Sequence, residues 1–180
     1  MPVKVFGLPT HILIIHLAVV GIPAACLATI AIAVRPKWRR RFGIWVAALD
    51  VVMVGITYLT MLAGEALFNH APFLQQVAAV QNHKRLGETL VYFVAAVAVF
   101  GILLAVLGRG GRGAAAGADA KGGSGTLGEN HVITVAVAAL AIAASAICLV
   151  RVIQVGDSGA RAVWGGTNLS SSVALHTGIQ

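Results

Sequence analysis

The 180 residues are 58% hydrophobic and only 11% charged, with a formal net charge of +7. So apolar a chain is not a soluble domain, and the excess of Lys and Arg does not make it a nucleic-acid binder, because no basic folded unit accompanies the charge. It reads as an all-α integral membrane protein, since only helices and closed barrels satisfy their backbone in lipid and the alternating ten-residue strands of a barrel are missing.

Four apolar windows, about 11–34, 42–64, 84–107 and 131–154, are each long enough to cross a hydrocarbon core of about 30 Å as a helix. The first follows a Leu8-Pro9-Thr10 turn and ends at Arg35-Pro36; its apolar run outlasts the core of a signal peptide, so it is read as uncleaved. Arg35, Lys37, Arg39, Arg40 and Arg41 form one basic cluster, and Arg109, Arg112 and Lys121 a second. Segments rich in Lys and Arg stay cytoplasmic. Both clusters therefore face inward, while the two termini and the connection around His70 face outward. The first cluster lies against two spans, where each basic residue gains about 1 kcal/mol from the anionic inner leaflet.

The outer connection is expected to carry a short surface helix over 73–81, with Asn82 capping the third span. Residues 108–130 are rich in Gly, Ala and Ser and read as a flexible cytoplasmic linker. Residues 155–180 read as an extracytoplasmic tail, within which 156–164 is expected to extend the helix by a turn or two after a break and place Trp164 near the interface. The prediction is a single-domain, integral membrane four-helix bundle in a bacterial plasma membrane.

Asp50 is the costliest residue in the chain, because an acid near mid-bilayer is charged about 2.5 to 3.5 kcal/mol even on lenient insertion scales. On a helix it shares a stripe with Thr57, Tyr58, Met61 and Glu65, and that stripe is expected to face the bundle interior. Two readings stand: a neutral or hydrogen-bonded Asp50 that holds helices together, or a proton or ion relay towards Glu65. Cys26 and Cys148 fall inside spans and read as small apolar residues.

The histidines sort by side. His11, His16, His70, His83 and His176 fall at outer ends, and His131 falls on the inner side. His11 and His16 are about 140° apart on a helix, so they make no same-face pair; one points inward and the other to the interface. The first and third spans run in the same direction, which makes His16 and His83 the expected pair. Gly87, one turn below His83, clears space for a neighbouring helix or a flat macrocycle. Two imidazoles from different helices suit a b-type haem, and imidazole with carboxylate suits a metal ion, for which Glu65, His70 and Glu88 are further candidate ligands. His11 with His176 is the next pair. No HExxH, CxxCH or P-loop is present, so no common catalytic signature points to an enzyme.

Four segments carry a resemblance to a known family: Gly-Leu-Pro-Thr-His at 7–11 with His16 following, Ala-Gly-Glu-Ala-Leu at 63–67, His-Lys-Arg-Leu-Gly-Glu at 83–88, and Gly-Asp-Ser-Gly-Ala-Arg-Ala-Val-Trp at 156–164. In their order and spacing the chain resembles the bacterial membrane proteins known as domain of unknown function 2231, particularly their actinobacterial branch. The resemblance implies a compact four-helix membrane domain with His11, His16, Glu65 and His83 as its functional residues. The chain departs from the family pattern at Thr10, where many members carry Pro, and at Asp157, where many carry His. The second departure weakens any ligand pair that needs position 157.

The expected function is that of a small membrane component of redox or respiratory type, holding haem b or a metal ion near the outer face through His16 and His83, with His11 and Gly87 alongside. The alternative is a cofactor-free structural or accessory subunit. A proton-coupled transporter is a third class, for which four spans leave little room without oligomerisation. The expected partners are the lipid bilayer and either a larger membrane complex or further copies of the chain.

Overall fold

The computed structural model describes residues 4–5, 8–116 and 124–164. They form four long helices, α1 over Thr10–Val34, α2 over Pro36–His70, α3 over Ala78–Ala116 and α4 over Ser124–Trp164. All four are long and apolar enough to cross a membrane. A two-residue antiparallel ladder, β1 (Lys4–Val5) with β2 (Leu8–Pro9), leads into α1, and a single 3-10 turn over Pro72–Gln76 links α2 to α3. The fold is all-α, a membrane four-helix bundle.

The corner between α1 and α2 is one residue wide. Arg35 adopts an extended conformation (φ −113°, ψ 100°), as the residue before a proline must, and Pro36 opens α2 at its first position, where a missing N–H costs nothing. The helices overrun the expected spans. The amides of Val80 and Gln81 bond to the Val77 carbonyl, so α3 starts at Ala78 and Asn82 lies inside its first turns rather than capping it. At the other end α3 continues to Ala116, and α4 begins at Ser124, so helix enters the stretch read as a linker from both sides. Alanine, the best helix former, occupies 114–116 at the end of α3, and no proline interrupts the stretch. α4 also runs through the start of the expected tail to Trp164, helped by an Arg161–Asp157 pair at 2.9 Å one turn apart. Residues 117–123 and 165–180, including His176, lie outside the described residues.

The helices pack in a ring, each against its neighbours in sequence, with α4 closing on α1. Lipid is as apolar as leucine, so such a ring is held by close packing and interhelical hydrogen bonds rather than by expulsion of water. Gly43 illustrates the first: a Cβ there would stand 3.2 Å from the Ala105 backbone, so α2 and α3 approach closely. One apolar cluster gathers Ile22, Cys26, Met53, Val94, Cys148 and Val152, and a second gathers Ile32, Val46, Leu104 and Ala141. Both cysteines are buried and unbridged, consistent with small core residues.

A polar layer, Thr29, Asp50 and Ser145, is buried among these apolar side chains. Asp50 is 1% exposed, and Thr29 of α1 donates to its Oδ2 at 2.8 Å. Its carboxylate also packs against Gly101 of α3, so a single acid touches three helices. This geometry is that of a helix-holding Asp50. The hydroxyl of Thr57, which lies between it and Glu65 on the stripe, is spent on the Met53 carbonyl at 2.7 Å. Tyr58 is not on the inner face: it is 49% exposed, because eight residues carry it about 80° past Asp50, whereas seven bring Thr57 back to within about 20°. Asp50→Lys is expected to destabilise the protein more than Asp50→Leu, since leucine loses one hydrogen bond whereas an ammonium must be buried without a counter-charge. Thermal unfolding in detergent compares the two; equal stabilities would mean that position 50 reaches water or head groups.

Candidate functional site

At the end of the bundle where α2 turns into α3, the four helices splay around a cavity of about 670 Å³. That is the size of a small-molecule or cofactor site. Its walls are apolar, with Ile15, Ile22, Met61, Phe68, Leu90 and Val152 among them. Four glycines, Gly64, Gly87, Gly156 and Gly159, widen it, and Glu65, Lys84 and Glu88 also line it.

Two histidines face each other in this cavity. His11 comes from the first turn of α1 and His83 from the second turn of α3, and their ring centroids are 6.3 Å apart with the planes inclined at 77°. His11 Nδ1 lies 3.0 Å from the Thr60 carbonyl of α2. His83 Nδ1 lies 3.2 Å from the Val155 carbonyl of α4 and 3.0 Å from Ser158 Oγ, whose own proton goes to Val155 O at 2.8 Å. A carbonyl only accepts, so in each ring Nδ1 carries a proton, and in the neutral ring Nε2 keeps its lone pair. Each imidazole also rests on a glycine of the helix it bonds to. A Cβ at Gly64 would meet the His11 ring at 3.1 Å, and one at Gly159 would meet the His83 ring at the same distance.

His83 is therefore paired with His11, not with His16. His16 is exposed on α1 and does not line the cavity, because the 140° between them turns it outward once His11 faces in. Gly87 has nothing within 4 Å of where its Cβ would be, so it opens the cavity rather than admitting a helix. Glu65 is exposed at the cavity edge, and Glu88 is bound to Lys84 at 2.8 Å. His70 turns back on its own helix, with Nδ1 donating to Ala66 O at 2.8 Å. Among the described residues no three of His, Cys, Asp and Glu come together to hold a metal ion, so Glu65, His70 and Glu88 do not form the expected ligand set. His131 is exposed at the start of the apolar part of α4, at the bundle's opposite end.

The glycine seats, Ser158 and the two carbonyl anchors escaped the sequence reading. A carbonyl carries no side-chain signal. The spacing did: Thr60 to Gly64 and Val155 to Gly159 are each one helical turn.

The profile of a family described as a predicted membrane protein, DUF2231, matches residues 7–168. The chain belongs to the DUF2231 family. No curated protein and no solved structure matches it. The four segments that carry the DUF2231 resemblance come from four helices and meet at this one cavity, contributing His11, then Gly64 and Glu65, then His83, Lys84, Gly87 and Glu88, and finally Gly156 and Gly159.

Proposed function

We propose that this DUF2231 protein is a haem b-binding component of a bacterial plasma membrane, with the haem in the outer cavity and His11 and His83 as its axial ligands. The observation that carries the reading is the pair of imidazoles, each fixed through Nδ1 to a backbone carbonyl and each left with an Nε2 lone pair. That is how second-shell bonds orient ligating histidines. Two imidazoles are half of a tetrahedral zinc site but a full axial set for haem, whose macrocycle supplies the other four nitrogens. The apolar cavity suits a flat hydrophobic group. When bound, haem would supply one-electron redox chemistry, and the membrane complex or second copy of the chain expected as partner would exchange those electrons.

Protein purified from cells grown with ample iron and haem precursor should give a Soret band and sharp α and β bands in a reduced-minus-oxidised spectrum. Featureless spectra from folded protein would leave the second reading, a cofactor-free scaffold. One observation favours that alternative: both histidines tie neighbouring helices together, α1 to α2 and α3 to α4, and such bonds hold a bundle without any ligand.

We take the cavity end as the outer one because the basic clusters lie at the opposite end and Lys and Arg favour the cytoplasmic side. A cysteine at exposed Gln76, in the turn between α2 and α3, should react with an impermeant maleimide on intact cells, whereas one at exposed Lys37 should react only after lysis. The reverse pattern would invert the topology.

A further inference from the structure

The two histidines are not merely neighbours. His11, on α1, and His83, on α3, are 72 residues apart, and their seats Gly64, on α2, and Gly159, on α4, are 95 apart. The same 95 residues separate the anchoring carbonyls of Thr60 and Val155. Each half is thus the same device: an imidazole near the start of one helix, a carbonyl of the following helix that takes its Nδ1 proton, and a glycine one turn further on that makes room for the ring.

These two offsets come from the cavity alone, yet they organise the bundle below it. Advancing α1 by 72 residues brings all seven of its buried positions among the described residues onto buried positions of α3, from Ala18 on Leu90 through Thr29 on Gly101 to Ala33 on Ala105. Advancing α2 by 95 brings five of its eight buried positions, Val46, Asp50, Met53, Thr57 and Ala63, onto buried Ala141, Ser145, Cys148, Val152 and Ser158, while Arg39 and Gly43 fall on half-buried Thr134 and Ala138 and Ala47 on exposed Ile142. Any two helices can be aligned by one buried stripe if the offset is free. Here the offset is fixed beforehand by the histidine seats, and a shift of one residue would rotate each stripe by about 100° and destroy the match. The packing is of the same kind: α1 meets α2 as α3 meets α4, α4 meets α1 less extensively than α2 meets α3, and α1 and α3 touch only sparingly across the centre.

We infer that the bundle is one helical hairpin used twice about a pseudo-twofold axis along its length, and that the outer cavity offers one metal centre on that axis two equivalent axial nitrogens, His11 Nε2 and His83 Nε2. The second half of this inference rests on the haem reading above, and the first does not. Parallel repeats about an axis along the membrane normal are a known way of building a central membrane site. One asymmetry lies at the half-sites, where Ser158 bonds the His83 ring and its counterpart beside His11 is Ala63; another lies below them. Where the first hairpin carries Thr29 and Asp50 the second carries Gly101 and Ser145, and the glycine is what lets Asp50 fit across the axis. The polar layer is thus where the two copies differ most, and the imidazole, the carbonyl and the glycine of each histidine half-site are what they share.

The test is the nitrogen NMR spectrum of the full-length protein in detergent, labelled with 15N-histidine and titrated with ferric haem, His11 and His83 being assigned from His11→Asn and His83→Asn. Before haem is added, both rings should show a protonated Nδ1 and an unprotonated Nε2, the tautomer less favoured by free histidine. On titration both sets of signals should be lost in parallel, reaching half-loss at the same haem ratio, while His16 and His131 persist. If only one ring has this tautomer, or haem removes the signals of only one, the equivalence is overturned although haem binding stands. If both rings show the tautomer and neither responds to haem, the shared metal centre and the haem reading fall together and only the repeated hairpin remains.

Discussion

Gly101→Val is expected to be the most damaging single substitution in the bundle, costing about 3 to 5 kcal/mol. A side chain at position 101 of α3 would start where Asp50 Oδ2 now lies. Relief requires moving the carboxylate, which breaks its 2.8 Å bond from Thr29 and leaves a buried acid without a partner. Losing a hydrogen bond to such a group costs about 1.5 to 3 kcal/mol, and overpacking adds about 1 to 3. The neighbours have little room to yield, since Asp50 and Thr29, the residues a side chain there would meet, are both buried. Gly55→Val is the matched control. Nothing lies within 4 Å of a Cβ there, so it should shift stability by less than about 1 kcal/mol. Unfolding of both variants by denaturant in detergent measures the difference, and similar midpoints would show that Asp50 is not fixed between three helices.

The second large effect concerns the cavity. His11→Ala and His83→Ala should each remove the six-coordinate haem spectrum, and the double variant should bind haem at least tenfold more weakly than either, because the second axial bond is lost with the first already gone. His16→Ala should leave the spectrum unchanged, since that ring is exposed away from the cavity. Folding needs to be checked beside binding. His11→Ala also removes one interhelical hydrogen bond and His83→Ala its contacts to Val155 O and Ser158 Oγ, but such bonds are worth only about 0.6 kcal/mol each on average in a membrane bundle, too little to unfold it. Loss of haem with an unchanged melting curve separates ligation from scaffolding.

Much of the fold was legible because membrane helices announce themselves. Apolar runs of the right length, a proline corner at Arg35-Pro36 and the basic clusters gave four helices and their order. Boundaries were less legible: the Gly/Ala stretch after Leu107 has the composition of a linker, yet alanine carries the helix through part of it. Asp50 was found because burying an acid is expensive wherever it occurs, and the structure gives it Thr29 and Gly101 as reasons to be there. The histidine site was half legible. Spacing showed that His11 and His16 could not both face inward, and helix direction showed that α1 and α3 could bring histidines to one end. Which of the two would turn in depended on Gly64, whose absent side chain seats the His11 ring, and no local pattern around position 11 encodes a glycine more than fifty residues away. Tyr58 was misplaced by a single residue of helical phase.

Haem stoichiometry tests the central claim most directly. Full-length protein purified in mild detergent, reconstituted with ferric haem and freed of excess, should carry one haem b per chain by pyridine haemochrome assay, with the six-coordinate spectrum of two imidazole ligands. Protein that unfolds cooperatively, keeps its helical circular dichroism and still retains no haem above the level of the His11→Ala/His83→Ala double variant would contradict it.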